Sequence, residues 1–563
     1  MKRIINCILQ ILKTTAVRKS IDYCVLHKES IISISFVLLV IFLLAIPDIL
    51  GACIYGFKKN FLNSYIQALR IYLVTIVPIF FLPGILGKVF FAISTIFHAF
   101  CATGILILYH KYRLEIGGDS YFILVNSNPS EIWEFLCSLV SLYNVSVVIF
   151  FVLFAVGCIY FFSKCKWKIT FLHIVLGIIL ALPLSISILR YRSKPAKVKK
   201  VLTRCSVSKF LVEYRNFQVV YGSIYKNLTK KPELPGKILP VEKNIAGIIV
   251  IGESAYRKHH SIYGYPRNTT PNLSRRKDSI LPFSNVISAT VQTPTAIRYL
   301  LTDEILKKSS INDIHFSLPD LLKAAGYETH WISNQYIWGL GGYESSTTLL
   351  AQKCDSYYFV HNKTPEEKYD IACIKPVEKF LRTTKPVILF VHLMGSHIGY
   401  EERFPKNFGS FRDKYDGVIE KVLPANRHKT NLYDCSIEYT DFVLEKMIKL
   451  LEAQSRPSFL LYLSDHSECN GLDKYTVARA THSKIRACYE IPFLLWYSEG
   501  YKNEFSDFIS RGKNNLRKPL QCDDAIWTIA DITHITWEGF PQEKSLFSPS
   551  YKGRKRFMYN TLY

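Results

Sequence analysis

The pattern of hydrophobic and polar positions divides the chain into two parts. Residues 1 to about 190 consist mostly of long apolar runs with few acidic residues, whereas the remainder alternates short apolar runs with helical patterns. An apolar run of about 18 residues is long enough to cross a bilayer. The runs of about this length are Ile31–Leu50, Ile71–Leu86, Val89–Tyr109, Val145–Phe162 and Ile169–Leu189. We therefore predict a five-helix transmembrane domain over residues 1–190. Because only Gly87 and Lys88 separate the second and third runs, these two spans are predicted to form a tight helical hairpin.

The basic residues predict the orientation of these spans. Basic residues in short loops favour the cytoplasmic side. Six of them precede the first run, and Lys164, Lys166 and Lys168 lie between the fourth and fifth runs. Five spans with a cytoplasmic N-terminus then place everything after Arg190 on the outer side of the membrane. The basic stretch that starts at Arg190 conflicts with this orientation, but long domains translocate largely regardless of their charge.

Residues 110–144 form the one sizeable outside loop of this predicted domain. Asn128 and Glu131 lie in it, ahead of the amphipathic stretch Ile132–Leu142. These polar groups would lie at the membrane surface, so we expect them to be near a lipid headgroup. An ordinary solvated loop, in which Asn-Pro-Ser-Glu starts a helix, explains the same residues equally well.

The second part reads as a connector over residues 191–243 and a catalytic domain over residues 244–563. Short apolar runs bounded by polar residues predict buried strands of a mostly parallel sheet. The predicted strands are Ile245–Ile251, Val387–Val391, Phe459–Leu463 and Ile491–Trp496, and the helical patterns between them are Leu318–Ala325, Pro376–Arg382 and Tyr433–Leu451. Strands that alternate with helices predict an α/β sandwich.

The formal net charge of +25 raises the question of a nucleic-acid partner. The basic residues are scattered and often flank apolar segments, and no nucleic-acid-binding module is present. Anionic lipid headgroups are therefore the expected partners of this charge, and no nucleic-acid binding is expected.

Side chains that can bind a metal follow three of the predicted strands. They are Glu253 after the first strand, His392 and His397 after the second, and Asp465, His466 and His482 after the third. Ligands bind outside the carboxyl ends of the strands in open α/β sheets, so these residues are expected to converge. Each alone could be a helix-capping acid or a loop histidine. Together they have the ligand chemistry of zinc or a similar divalent ion.

Thr293 is the candidate nucleophile of this predicted site. Its hydroxyl is predicted to stand at a helix N-cap, with Pro294 at the first helical position. A helix N-terminus favours anions and would stabilise both an alkoxide and a bound phosphate. Thr-Pro is also a common helix start without any chemistry attached, and this segment alone does not decide between the two readings.

Several blocks of the chain resemble the membrane phosphoethanolamine transferases of Gram-negative bacteria, members of the alkaline phosphatase and sulfatase superfamily. The blocks are Val250–Arg257 (VIGESAYR), Tyr263–Pro271 (YGYPRNTTP), His392–His397 (HLMGSH), Tyr433–Asp441 and Ser464–His466 (SDH). The resemblance covers nearly the whole chain and implies a periplasmic catalytic domain of alkaline-phosphatase type.

The resemblance also implies roles for individual residues. Glu253, Thr293, Asp465 and His466 would hold a zinc ion, with Thr293 as the nucleophile. His392, His397 and His482 would surround the substrate or hold a second zinc. The implied reaction takes phosphoethanolamine from phosphatidylethanolamine through a covalent threonine intermediate and passes it to lipopolysaccharide core, lipid A or a periplasmic glucan.

The chain departs from the lipid A-modifying members of the family. They carry Cys-Gly before the threonine, whereas Val291 and Gln292 precede Thr293 here. The spacing from Asn285 resembles members that act on lipopolysaccharide core or periplasmic glucans, so the acceptor stays open.

Other functions remain open at this point. The alternatives are a phosphoglycerol transferase, a phosphodiesterase or sulfatase-type hydrolase of the same superfamily, and a non-enzymatic membrane sensor. A sulfatase would normally carry Cys-x-Pro-x-Arg where Thr293-Pro294-Thr295 stands. The six cysteines between Cys354 and Cys522 suggest disulfides in an oxidising compartment, but the sequence does not choose their pairing.

Overall fold

The computed structural model describes residues 28–29, 31–40, 43, 76–112, 136–137, 139–165, 167, 169–171, 173–181, 206–306, 314–337, 344–360, 368–468, 485–558 and 561–563. The chain divides into two compact units. The first comprises Met1–Tyr121 and Phe135–Phe217, and the second comprises Phe122–Glu134 and Gln218–Tyr563. The limits that we predict at residues 190 and 243 stay predictions. The predicted connector contains a helix, Ser206–Thr229.

Apolar helices make up the described part of the first unit. Two of them, Gly84–Gly104 and Leu142–Lys164, are long and apolar enough to cross a membrane, with mean hydropathies of 1.8 and 2.8. They contain most of the predicted third and fourth spans. Ile31–Val40, a shorter apolar helix, covers half of the predicted first span. The predicted second and fifth spans lie partly outside the described residues, so the number of five stays a prediction.

The predicted hairpin connection at Gly87 and Lys88 is wrong. Both residues lie inside the helix Gly84–Tyr112. The helical conformation is interrupted earlier, where a short 3-10 helix, Val77–Phe81, ends at an extended Leu82. Pro83 explains this position, because a proline disfavours the helical conformation of the residue before it.

A seven-stranded sheet forms the centre of the second unit. Its strands are β1 (Ala246–Gly252), β2 (Ile280–Pro282), β4 (Glu328–Ser333), β5 (Ser356–Phe359), β6 (Val387–His392), β7 (Ser458–Ser464) and β8 (Phe493–Tyr497), in the spatial order β2-β8-β7-β1-β6-β4-β5. Two separate pairs are formed by β3 (Val286–Ile287) with β9 (Leu520–Gln521) and by β10 (Phe557–Met558) with β11 (Thr561–Leu562). β1 pairs in parallel with both β6 and β7. β4 and β5 continue the parallel part, whereas β8 pairs antiparallel with both of its neighbours, β7 and β2. The predicted mostly parallel sheet is confirmed.

Helices lie between the strands along the chain, as the sequence predicts. Within the described part of the catalytic domain they are Pro271–Arg275, Thr293–Leu301, Leu318–Ala324, Ser346–Ala351, Ile374–Leu381, Pro424–Glu452, Glu499–Glu504, Ser506–Asn514 and Ala525–Ile532. The longest, Pro424–Glu452, extends beyond the predicted helix from Tyr433 to Leu451 because Pro424 provides an earlier start.

Two hydrophobic clusters cover the two faces of the sheet. Successive strand residues point to opposite faces. Accordingly, Ile249 and Ile251 of β1 belong to one cluster, and Ile248 and Val250 belong to the other. Every residue of β1 is buried. The packing of β1 on both faces therefore fixes the position of its carboxyl end in the sheet.

A buried charged network attaches the segment after β1 to the helix Pro424–Glu452. Asp434 of this helix accepts hydrogen bonds from Arg267 at 2.7 Å and from the Tyr265 hydroxyl at 3.0 Å. Its other oxygen lies 2.7 Å from Nδ1 of His259. The side chains of Asp434 and His259 are fully buried, and that of Arg267 is almost so.

The network gives a testable prediction for stability. Arg267→Met leaves Asp434 buried without its cation, so we expect a loss of about 3–5 kcal/mol. Arg276→Met is the matched control, because Arg276 pairs with Glu445 and Glu452 in a more exposed place and should lose at most about 1 kcal/mol. The thermal unfolding midpoint and hydrogen exchange over Pro424–Glu452 measure the difference. Equal effects of the two substitutions would contradict the argument.

Candidate active site

Three neighbouring strands bring candidate residues to one edge of the sheet. Glu253 directly follows β1, and Asp465 and His466 directly follow β7. The ends of these strands are adjacent, since Gly252 pairs with Ser464. His392 is the last residue of β6 and pairs with Ile251.

Glu253, Asp465 and His466 form a group that can hold a metal ion. One ligand atom from each lies within 4.8 Å of the others. Nε2 of His466 is 3.1 Å from an Asp465 oxygen and 3.4 Å from a Glu253 oxygen. Two carboxylates and one imidazole are ligands that zinc prefers. All three side chains are buried, and a cation between them would offset the free energy of burying two like charges. The donor set therefore fits zinc.

Thr293 adds a hydroxyl to this group. Its Oγ1 donates a hydrogen bond to Oε2 of Glu253 at 2.8 Å and lies 3.2 Å from Nε2 of His466. The predicted N-cap position is wrong by one residue, because Gln292 is the N-cap and Thr293 begins the helix Thr293–Leu301. The hydroxyl is thus directed at the carboxylate instead of capping a backbone N–H. It is partly exposed, so a substrate can reach it.

Ser254 connects the two carboxylates, and the sequence analysis missed it. Its φ of 58° lies in the left-handed region, which is uncommon for a residue other than glycine. In this conformation its N–H donates to Asp465 at 3.1 Å, and its hydroxyl donates to Glu253 at 2.6 Å. Tyr433 donates its hydroxyl to the Ser254 carbonyl at 2.7 Å.

The loop after β6 packs directly on Glu253. Gly395 has a φ of 48°, and a Cβ at this position would lie 2.9 Å from the Glu253 nitrogen. Only glycine fits such a close approach. Buried Asp370 accepts the N–H groups of Met394 and Gly395 at 2.8 and 2.9 Å. Burial raises the pKa of Asp370, and the hydrogen bonds from these two N–H groups offset part of that rise.

Gln335 is a second residue that the sequence analysis missed. Its amide donates to Oε2 of Glu253 at 3.3 Å and to the Leu393 carbonyl at 3.1 Å. It follows β4, which the strand prediction also missed. The carboxylate of Glu253 is therefore oriented from two sides, by Ser254 and by Gln335.

The other predicted site residues are not members of the three-residue group or lie outside the described residues. His392 is buried, and its Nδ1 lies 3.4 Å from the Ser333 hydroxyl. Burial lowers the pKa of His392 to about 4. His397 is partly exposed in the loop after β6. His482, Asn128 and Glu131 lie outside the described residues.

The cysteines of the catalytic domain are mostly thiols. Cys354, Cys373, Cys435 and Cys522 are buried and free, so the expectation of disulfides is wrong for these four. Cys488 is disulfide-bonded. Burial raises the pKa of Cys435 to about 12, which makes this thiol unreactive.

A mostly parallel sheet with carboxylate, imidazole and hydroxyl groups at one strand edge defines a metal-dependent enzyme of the alkaline-phosphatase type. A family model described as Sulfatase matches residues 246–535, which is more than half of the chain. The chain belongs to the sulfatase family. This membership confirms the superfamily that the sequence predicts.

Relatives along nearly the whole chain carry the name that the sequence resemblance predicts. Phosphoethanolamine transferase EptC of Escherichia coli (strain K12) is 27% identical over 541 residues, which cover 91% of this chain and 91% of that protein. The crystal structure of the C-terminal periplasmic domain of EptC from Escherichia coli in complex with Zn is 28% identical. It covers 59% of this chain and 96% of that chain, with a TM-score of 0.53.

A solved membrane protein shares the fold over more of the chain. The integral membrane protein lipooligosaccharide phosphoethanolamine transferase A (EptA) from Neisseria meningitidis covers 90% of this chain and 97% of its own, with a TM-score of 0.65. Its identity of 18% supports a common fold and nothing finer. The shared fold includes residues of the apolar N-terminal part, because the catalytic domain alone is shorter than this coverage.

The orientation of the carboxylates gives a second prediction. Ser254→Gly keeps the N–H and accepts the left-handed φ, but it removes the hydroxyl that holds Glu253. We expect the affinity for zinc to fall by about 10–100-fold, as is usual when a group that orients a ligand is lost. Ser274→Ala, outside the site, is the control. Zinc titration with a competing chelator measures both, and an unchanged affinity of Ser254→Gly would contradict the assigned role.

Proposed function

We propose that the chain transfers phosphoethanolamine from phosphatidylethanolamine to an envelope glycan through Thr293. The observation that carries this proposal is the short contact of the Thr293 hydroxyl with Glu253, in reach of His466. The names of the relatives supply the transferred group. The family name alone does not imply sulfatase activity here, because Thr293-Pro294-Thr295 stands in place of Cys-x-Pro-x-Arg.

Glu253, Asp465 and His466 are the proposed zinc ligands, with the Thr293 oxygen as the fourth. When bound, zinc supplies Lewis acidity toward the phosphoryl oxygen and lowers the pKa of a coordinated hydroxyl. The zinc complex of the EptC domain supports this choice of metal. His392, His397 and His482 are proposed to surround the phosphate or to hold a second ion.

The proposed reaction consists of two successive nucleophilic displacements at phosphorus. The Thr293 proton points at Oε2 of Glu253, which makes that oxygen its first acceptor. Oγ1 attacks the phosphorus, the bond to the diacylglycerol oxygen breaks, and diacylglycerol leaves with the proton that Glu253 accepted from Thr293. A glycan hydroxyl or singly protonated phosphate then attacks the same phosphorus and gives up its proton, and Thr293 leaves with a proton from this acceptor. Two displacements in sequence give ping-pong kinetics.

The N-terminal part is proposed to bring this chemistry to the membrane. Its two long apolar helices support a membrane anchor. We propose five spans over residues 1–190, a cytoplasmic N-terminus, and a periplasmic catalytic domain over residues 244–563. The lipid donor would then reach the site from the membrane surface, where Asn128 and Glu131 are proposed to contact its headgroup.

The covalent step gives a third prediction. After incubation of the zinc-loaded full chain with phosphatidylethanolamine, peptide mass spectrometry should find phosphoethanolamine on the peptide that contains Thr293. Thr293→Ala should give no adduct, because it lacks the attacking oxygen. Thr295→Ala, two residues further along the same helix, is the matched control and should keep the adduct.

Other outcomes of this experiment have distinct meanings. A phosphoglycerol adduct from mixed lipids would change the donor and keep the nucleophile. Removal of zinc with a chelator should abolish the adduct, and readdition should restore it. A zinc-loaded, folded wild type without any adduct would contradict the proposal.

A further inference from the structure

Two cationic side chains approach one carboxylate in the catalytic domain, and two more lie over the ring of a tyrosine that is hydrogen-bonded to it. Arg257 and Lys258 approach Glu490, at 3.8 and 2.9 Å. The Tyr563 hydroxyl donates to the same carboxylate at 3.0 Å. Arg486 and Arg556 both lie over the Tyr563 ring, at 5.0 and 4.6 Å from its centroid. We call Arg257, Lys258, Arg486 and Arg556 the basic cluster.

The basic cluster is attached to all three segments that supply the candidate active site. The segment Cys488–Glu490 accepts a backbone hydrogen bond from each of them. Arg257, four residues after Glu253, donates to Glu490 at 3.1 Å. Ser288, five residues before Thr293, donates to Tyr489 at 2.9 Å, and Ser467, next to His466, donates to Cys488 at 3.2 Å. The cluster therefore borders the site.

The cluster carries more positive charge than the neighbouring side chains neutralise. Within the described part of the chain, Arg486 and Arg556 form no ion pair with a carboxylate, and Glu490 is shared by Arg257 and Lys258. Burial lowers the pKa of Arg556, and the like charges of Arg257 and Arg486 add to this effect. A bound anion would relieve this repulsion.

We propose that the basic cluster binds phosphate groups of the acceptor, a phosphorylated glycan, and so positions it for attack on the Thr293 adduct. This inference rests on the proposed function and assigns the acceptor side of the same site. Guanidinium groups bind phosphate through two parallel hydrogen bonds, and an aromatic ring behind them holds their planes.

A glycan phosphate fits the cluster better than an anionic membrane surface does. Attraction to a lipid surface needs only exposed charges. In contrast, Arg257 is largely buried, and Arg556 is half-buried against Tyr563. Such fixed guanidinium groups suit a specific phosphate next to the reacting centre.

Acceptor kinetics of the full chain give the first test and a fourth prediction. With phosphatidylethanolamine as donor and a phosphorylated lipooligosaccharide as acceptor, Arg486→Gln should raise the KM for the acceptor at least about tenfold, because a charge-assisted contact is lost. Arg486 is exposed, so its substitution is compatible with folding. Arg556→Gln should act in the same direction. Arg382→Gln, an exposed arginine on another helix end, removes the same charge and should keep the wild-type KM.

Direct binding separates this inference from the proposed function. Thr293→Ala protein, which cannot react, is titrated by calorimetry with the phosphorylated oligosaccharide and with the same oligosaccharide after removal of its phosphates. We expect binding of the first only, and its loss in Thr293→Ala combined with Arg486→Gln. If the wild type forms no Thr293 adduct but this binding pattern holds, the proposed transfer fails while the anion site stands.

Two results would overturn the inference. One is an unchanged acceptor KM in both arginine variants while the wild type forms its adduct. The other is loss of binding to phosphatidylglycerol vesicles in Arg486→Gln with unchanged oligosaccharide binding, which would assign the cluster to the membrane surface.

Discussion

The structure of this site depends on holding two carboxylates close together inside the protein. Glu253 and Asp465 are buried, and both lie beside the same nitrogen of His466. Like charges at this separation repel strongly unless each is hydrogen-bonded and a cation lies between them. Ser254 provides part of the hydrogen bonding through its left-handed backbone, and Gln335 adds a bond to Glu253. The neighbouring parallel strands fix the distance between the two acids, since Gly252 and Ser464 are paired directly.

Support for this arrangement comes from parts of the chain that are distant in sequence. The helix Pro424–Glu452 contributes Tyr433, which bonds the Ser254 carbonyl, and Asp434, which holds Arg267 and His259. Asp370 holds the loop that presses Gly395 against Glu253. The candidate ligands are therefore supported on several sides, and the free energy of burying these charges is distributed over the network.

The sequence predicted the parts of this protein that follow from simple periodicity and from strand ends. β1, β6 and β7 were predicted within about one residue, and their carboxyl ends led to Glu253, Asp465 and His466. β2, β4 and β5 were missed because they are short or carry polar residues such as Glu328 and Thr329, which do not form an apolar run. Ser254 and Gln335 could not be predicted, because a positive φ and a contact across 82 residues leave no local signal. The break at Pro83 follows a local rule, whereas the apolar pattern placed the connection between the two spans too late, at Gly87 and Lys88.

The segment Cys488–Glu490 has a consequence for how this family can diversify. It joins the reacting groups and the basic cluster through main-chain hydrogen bonds, which do not depend on the side chains of either. Substitutions at Arg486 or Arg556 can therefore accumulate without disturbing the ligand geometry at Glu253 and His466. Under the proposed function, selection at these two positions would change which glycan is modified while the reaction stays the same, so duplicated genes with one reaction and different acceptors would need only a few surface substitutions.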